Sequence, residues 1–268
     1  MIDLRSILIF GGTKGIGNML AEYYKDSGYK VTIAGRHAVS ASRLNFVETD
    51  VSREESVTKA FNAHSKKWGK APDVVINCAG IQGPIGNSWM IPIDKFRETL
   101  NINLMGSFIV ARIAARKMLF SGQGSIIMFS GGGAVYGRPN FNAYAISKTG
   151  VLRMVEIIAE ELRIAGYPDI IINAVAPGAV KTGMTDEILK AGKKAGGKAL
   201  REAVEVIKNG GTPAREIIDL VDFLIDLKRN KGITGRLIHV REDYDKLIQK
   251  YGRKVPEDTG KIRRIPIK

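Results

Sequence analysis

Four consecutive apolar residues, Ile7, Leu8, Ile9 and Phe10, open the regular part of this chain. An unbroken run of that length suits a strand buried on both faces, as a parallel sheet requires. Comparable runs at 30–36, 45–51, 73–80, 125–129, 169–175 and 236–240 read as six further strands. Between them the apolar positions recur at helical period, from Asn18 onward and over 94–120, 144–165 and 213–228. Ser52, with Glu55 three residues on, has the form of a capping box at the head of another helix. Strand and helix alternate, which predicts a doubly wound parallel sheet in three α/β/α layers with right-handed crossovers. No repeat and no linker interrupts the 268 residues, so one domain is expected.

Ligands of such sheets lie beyond the carboxyl ends of the strands, where the strand order reverses. The residues at those ends are 11–17, Arg36, Asp50, 77–80, Ser130 and Pro177. Gly11, Gly12, Gly15 and Gly17 join the first strand to its helix. Such a junction leaves backbone N–H groups open at a helix N-terminus, where a pyrophosphate can sit. Glycine serves there because a Cβ blocks close approach of backbone to phosphate.

Composition narrows the field. The net charge of +14 raises nucleic-acid and acidic-membrane binding as candidates. The basic residues are spread along the chain and form no nucleic-acid motif, so attraction for anionic cofactors and substrates is the better use of the charge. No apolar run approaches the roughly 18 residues of a membrane span, and the N-terminus has no signal-peptide pattern. Cys78 is the single cysteine, which fits a reducing, cytoplasmic setting. His37, His64 and His239 show no metal-ligand spacing.

The ordered set GGTKGIG (11–17), DV (50–51), NCAG (77–80), NINLMG (101–106), YAISK (144–148) and PGAVKT (177–182) resembles the short-chain dehydrogenase/reductase family, of the ketoacyl-reductase-like, single-domain type. The resemblance implies a Rossmann-like fold and hydride transfer between NAD(P) and a carbonyl or alcohol. Tyr144 would then be the acid that protonates a developing alkoxide. A phenol titrates near 10, and lowering it by about three units takes about 4 kcal/mol. Lys148, one helical turn on, would supply part of that and hold the nicotinamide ribose. Asn103 matches the asparagine that kinks its helix and holds a relay water. Asn77 matches one that steadies the sheet. The resemblance further gives Gly11, Thr13, Lys14, Gly15, Ile16, Gly17, Asp50, Val51, Ala79, Gly80, Pro177, Gly178, Val180 and Thr182 to the cofactor. Gly35 stands where NAD enzymes of this fold place a ribose-binding acid, and Arg36 follows it. With Lys14, Arg36 suits a 2′-phosphate, so NADP is expected over NAD.

The chain departs from the family at two places. Thirteen residues before Tyr144, where the catalytic serine belongs, stands Gly131, and Ser130 is one residue early. Ser130 is expected to be re-aimed at the substrate by the glycines after it, although alternation along a strand favours the opposite. The last strand runs into a charged tail, 241–268, with nine basic and five acidic residues, expected to be partly disordered or an oligomer arm. The domain is accordingly 1–240, with 182–211 as a mobile substrate lid. Lys193, Lys194 and Lys198 in that lid make an anionic substrate admissible. A homodimer or homotetramer is expected. An epimerase or dehydratase with retained cofactor, or a non-catalytic cofactor-binding sensor, are the alternatives.

Overall fold

The computed structural model describes residues 5–38, 44–251 and 259–261. Seven parallel strands form one sheet in the order β3-β2-β1-β4-β5-β6-β7. They are β1 (Ser6–Phe10), β2 (Lys30–Gly35), β3 (Asn45–Glu48), β4 (Val74–Asn77), β5 (Gly124–Phe129), β6 (Ile170–Ala176) and β7 (Leu237–His239). The helices are α1 (Gly15–Asp26), α2 (Glu54–Trp68), α3 (Ile93–Leu100), α4 (Gly106–Met118), α5 (Asn142–Ile164), α6 (Gly183–Ala191), α7 (Gly197–Asn209), α8 (Ala214–Ile225) and α9 (Tyr244–Tyr251). Order reverses between β1 and β4, where Phe10 pairs with Asn77. The strand ends there face the site.

Alternation along the strands divides the core in two. Leu8, Phe10, Val75, Ile126, Met128 and Ile172 point to the face covered by α2, α4 and α5. Ile7, Ile9, Val74, Ile76, Ile127 and Val175 point to the face covered by α1 and α8. Across that second face Tyr23 and Tyr24 of α1 each donate a 2.9 Å hydrogen bond to the Asp222 carboxylate of α8.

Local chemistry revises several sequence expectations. The third strand stops at Glu48 because Asp50 turns the chain: its carboxylate accepts both the N–H (2.9 Å) and the hydroxyl (2.7 Å) of Ser52. Ser52 therefore caps nothing, and Arg53 takes the N-cap position of α2. The helix expected over 94–120 is broken by a π turn, Asn101–Met105, between α3 and α4. The lid is helical, α6 and α7 joined by a 3-10 turn. Its base is closed by an antiparallel bridge between Val180 and Gly211. Within the charged tail, α9 packs on the domain: Tyr244 lies 4.6 Å from the Phe223 ring and Ile248 is buried. Gly260 accepts the Leu237 N–H of β7 at 2.8 Å. The remainder of the tail, 252–258 and 262–268, lies outside the described residues.

Candidate active site

Gly11 and Gly17 in the loop after β1 have no room for side chains. Gly11 has φ +69, and a Cβ on it would lie 2.6 Å from the Ala79 nitrogen. A Cβ on Gly17 would lie 2.3 Å from the Gly11 carbonyl oxygen. Helix α1 starts at Gly15 with Lys14 as N-cap, without a side-chain cap and without an acidic residue in its first turn. Its leading N–H groups and positive dipole end are thus open to an anion. Thr182 comes close: a Cβ on Gly15 would lie 3.6 Å from its methyl. Thr182 is itself the N-cap of α6, accepting an N–H through its hydroxyl oxygen while keeping a proton to donate. Two helix N-termini therefore converge. Thr13 lies across the end of β2, 3.0 Å from where a Gly35 Cβ would be. Arg36, exposed just beyond, acts electrostatically on Asp50. Burial alone would raise the Asp50 carboxyl, but Ser52, Arg36 and Arg53 together hold it below its usual range. Val51 instead buries its side chain against Gly106, so only its backbone is left to face a ligand. Gly178 has no room for a side chain, and that of Val180 packs against the core. A Cβ on Gly178 would meet the Thr212 hydroxyl at 2.4 Å, and Val180 anchors the lid. The cradle fits a dinucleotide: it is lined by backbone, and side chains there would fill it.

At the other end of the crevice, a hydrogen-bonded network joins β4 to α5. Asn77 accepts the Ala79 N–H at 3.1 Å and donates to Ser107 at 3.0 Å. Ser107 donates to the Asn103 carbonyl oxygen at 2.6 Å. The Asn103 side chain clamps Ile81, accepting its N–H at 2.8 Å and donating to its carbonyl at 2.9 Å. It also donates to Ser147 at 3.1 Å, and Ser147 donates to the Tyr144 carbonyl at 2.7 Å. The π turn places Asn103, fully buried, at the centre of this network; such turns are frequent at functional sites. Ser107 and Ser147 escaped the sequence reading. Ser147 lies inside the YAISK stretch, but nothing in its spacing marks it as a link to Asn103.

Lys148 donates to the Phe129 carbonyl oxygen at 2.8 Å and lies 5.6 Å from the Tyr144 ring centre. Asn103 and Lys148 both flank Gly80, whose Cβ would lie 3.2 Å from the Asn103 side-chain oxygen and 3.6 Å from the Lys148 ammonium. Burial pulls the Lys148 ammonium down to about 8, partly opposed by Cys78. Burial pushes the Tyr144 phenol above its ordinary value, and the cation that opposes this is Arg138. The expected lowering of Tyr144 by Lys148 is thus absent from the chain by itself. Burial also raises the Cys78 thiol, away from reactivity.

Ser130 is not re-aimed. It is buried, and its hydroxyl donates to the Lys148 carbonyl oxygen at 3.2 Å. Alternation persists past β5, so the next residue, Gly131, is the one facing the phenol: a Cβ on it would lie 3.8 Å from the Tyr144 hydroxyl. The lid closes one side of this space. Ile188 of α6 and Ala195, Ala199 and Ala203 toward α7 pack with Phe141, and Tyr144 and Ile85 lie against them.

The family model described as short chain dehydrogenase matches residues 5–193. The chain belongs to that family. As a short-chain dehydrogenase it is similar to the 3-oxoacyl-[acyl-carrier-protein] reductase MabA of Mycobacterium tuberculosis, 34% identical over 82% of this chain and 85% of that protein. It is also 31% identical to the NADP-dependent (R)-specific alcohol dehydrogenase of Lentilactobacillus kefiri, over 68% of this chain and 75% of that one. The ligand-free aldohexose dehydrogenase of Thermoplasma acidophilum shares the fold, with a TM-score of 0.76 at 24% identity, covering 88% of this chain and 92% of that chain. This short-chain dehydrogenase is therefore an NAD(P)-dependent oxidoreductase with a seven-stranded Rossmann-like domain. Among its described residues no helix is long and apolar enough to cross a membrane.

Proposed function

We propose that the chain is an NADP(H)-dependent carbonyl reductase or alcohol dehydrogenase with Tyr144 as its proton donor and acceptor. The observation that carries this reading is the meeting of Tyr144, Lys148, Asn103 and Gly80 at the β4–β5 end of the crevice. The reduced nicotinamide, when bound, supplies the hydride that a carbonyl carbon accepts. Tyr144 gives its hydroxyl proton to the carbonyl oxygen, which becomes the alcohol, and recovers a proton from solvent. Lys148, cationic at neutral pH even at about 8, favours the phenolate left behind and holds the ribose. Asn103 keeps Ile81 and, through Ser147, the first turn of α5 in register. Gly11, Thr13, Lys14, Gly15, Ile16 and Gly17 would hold the phosphates with Thr182. Asp50, the Val51 backbone, Ala79 and Gly80 would take the adenosine. Pro177, Gly178 and Val180 would present backbone to the carboxamide, and Asn77 would steady the strand beneath. Arg36 and Lys14, with no acid at Gly35, favour a 2′-phosphate and hence NADP.

The same reading takes 1–240 as the catalytic unit, 182–211 as its lid and the cytoplasm as its place. Exposed Met105, Phe108, Ile146 and Ile157 on α4, α5 and the π turn support a homodimer or homotetramer. The experiment is paired. Tyr144→Phe should leave NADPH binding intact and lower turnover at least about 100-fold. Arg36→Ala should raise the Michaelis constant for NADPH and leave that for NADH nearly unchanged. Unchanged turnover in the first variant overturns the proton-donor role; equal effects in the second overturn the NADP assignment.

A further inference from the structure

Arg138 lies in the loop between β5 and α5, six residues before Tyr144. Its guanidinium is stacked over the ring of Phe141, 4.4 Å from the ring centre. Phe141 is fully buried and belongs to the cluster that also touches Tyr144 and the lid. The loop that presents Arg138 is tightly held. Its carbonyl accepts the Phe141 N–H, Asn140 sits at φ 70, and the Asn140 carbonyl accepts the Gly86 N–H at 2.9 Å. Arg138 is half-buried, yet among the described residues no carboxylate pairs with it. Arg97, Arg112, Arg153, Arg163, Arg215 and Arg229 each have a carboxylate partner. A guanidinium held over an aromatic ring and not paired with a carboxylate keeps N–H donors for an oxyanion. In the same loop, the Arg138 Cβ lies 3.8 Å from where a Gly133 Cβ would be, and two residues earlier Gly131 leaves unfilled the space that a side chain would take beside the Tyr144 hydroxyl.

We infer that Arg138 is a specificity-determining residue: it receives an anionic oxygen group, carboxylate or phosphate, carried by the carbonyl substrate near its reacting carbon. The inference rests on the reading of Tyr144 as the proton donor. It gives the substrate class as oxo acids or phosphorylated carbonyl compounds, and it assigns the space at Gly131 to part of that substrate. The bound anion completes an ion pair that, among the described residues, the chain leaves half-made.

The test uses matched pairs with NADPH: 2-oxo and 3-oxo acids against their methyl esters, and dihydroxyacetone phosphate against dihydroxyacetone. The native enzyme should prefer the anionic member of at least one pair. The pair that responds separates carboxylate from phosphate. Arg138→Gln, which removes the charge and ends in a planar amide on a shorter stem, should lower kcat/KM for that anion about 10- to 100-fold, the range for hydrogen bonds to charged groups. It should lower kcat/KM for the neutral partner several-fold less than for the anion, the smaller loss reflecting its charge near Tyr144, and leave the Kd of NADPH unaltered. Arg138→Lys should fall between, because a point charge lacks the fork. Calorimetry of the same acids and of dihydroxyacetone phosphate with NADP-loaded Tyr144→Phe, in which turnover is silent, gives a second readout. There, adding Arg138→Gln should weaken anion binding by the same factor. Preference for the neutral members, equal losses on both members, or no anion binding by calorimetry overturns the inference. Arg138-dependent anion binding without turnover of any pair keeps it and overturns the redox reading instead.

Discussion

A Cβ built on Gly17 would sit 2.3 Å from a backbone oxygen and one on Gly11 2.6 Å from a backbone nitrogen; on Gly131 the nearest neighbour is the Tyr144 hydroxyl at 3.8 Å, and on Gly133 a methyl at 3.5 Å. The two glycine clusters border the same crevice but serve it differently. In the first, backbone packs against backbone, and Gly11 also holds a φ of +69 that side chains rarely adopt. Those glycines are conditions of the fold and of the cradle together. In the second, Gly131 lies outside the positive-φ region, and contact distances around its Cβ are ordinary. What the second cluster provides is empty volume beside the reacting group. A glycine in a motif therefore has to be judged by what its Cβ would touch.

The largest break between the clusters is expected from Gly17→Ala. The added methyl meets backbone that cannot move without shifting β1 against α1, so overpacking should destabilise the fold by about 1–3 kcal/mol or more. NADPH affinity should fall at least about 100-fold, because the helix N-terminus moves off the phosphates. Thermal unfolding and cofactor titration read the two effects. Near-native values for both would show that the cradle is not sterically closed.

Lys148 sharpens the comparison from the side of the second cluster, where the chain holds a charge it would be more stable without. Burial brings its ammonium from 10.5 to about 8. At any pH below about 8 both folded and unfolded states carry the proton, and the folded state bears the full cost of burying it. Between about 8 and 10.5 the folded protein loses the proton while the unfolded chain keeps it, so stability rises with pH across that window. Lys148→Met should therefore stabilise the cofactor-free protein at pH 7 by about 1–3 kcal/mol, after loss of the hydrogen bond to Phe129. The gain should shrink as pH rises through the window, while turnover is lost at every pH. Denaturant unfolding at pH 7 and pH 10 checks the sign; a variant less stable than the parent at pH 7 contradicts it.

Gly131→Ser should be tolerated where Gly17→Ala is not. A serine Cβ has room there, so stability should stay within about 1 kcal/mol of the parent. Its hydroxyl adds a donor beside Tyr144. Without a surrounding shell built to aim it, a gain of about 3- to 10-fold in kcat on neutral carbonyls is expected, well below that of a preorganised donor. A loss of stability matching Gly17→Ala would remove the distinction between the clusters.

How far the sequence reaches differs between these regions for a physical reason. Strand cores such as 7–10 and 125–129, their parallel arrangement and the glycine turn after β1 were legible, because continuous apolar runs and clustered glycines leave few alternatives. The resemblance put a kink at Asn103, but its form as a π turn at Asn101–Met105 was not legible: 94–120 keeps a helical apolar period, and the extra residue shows only when Asn103 turns inward to hold Ile81. The end of β3 was missed because the Asp50 carboxylate competes for Ser52, which by spacing alone reads as a helix cap. Helices α6 and α7 were hidden by glycines and charges, and much of the buried face of α7 is alanine. Arg138 had no motif around it; its place over Phe141 depends on the turn between β5 and α5.

Ser130→Ala is the smallest expected effect and separates two readings of the region. Its hydroxyl is buried and spent on the Lys148 carbonyl, a bond that ties the end of β5 to the first turns of α5. Removing it should cost about 0.5–1.5 kcal/mol of stability, the usual value of such a bond. Because the hydroxyl lies on the other side of the backbone from the phenol, kcat should fall less than about threefold. The double variant Ser130→Ala with Gly131→Ser then matters more than either alone. If Ser130 only braces the helix, the two changes are independent: the stability loss follows the alanine and any gain in kcat follows the new serine. A loss of tenfold or more in kcat for Ser130→Ala, restored by Gly131→Ser, would mean instead that the Ser130 hydroxyl reaches the substrate during turnover. The space beside Tyr144 would then be filled by motion of the 130–133 loop, and not by the substrate.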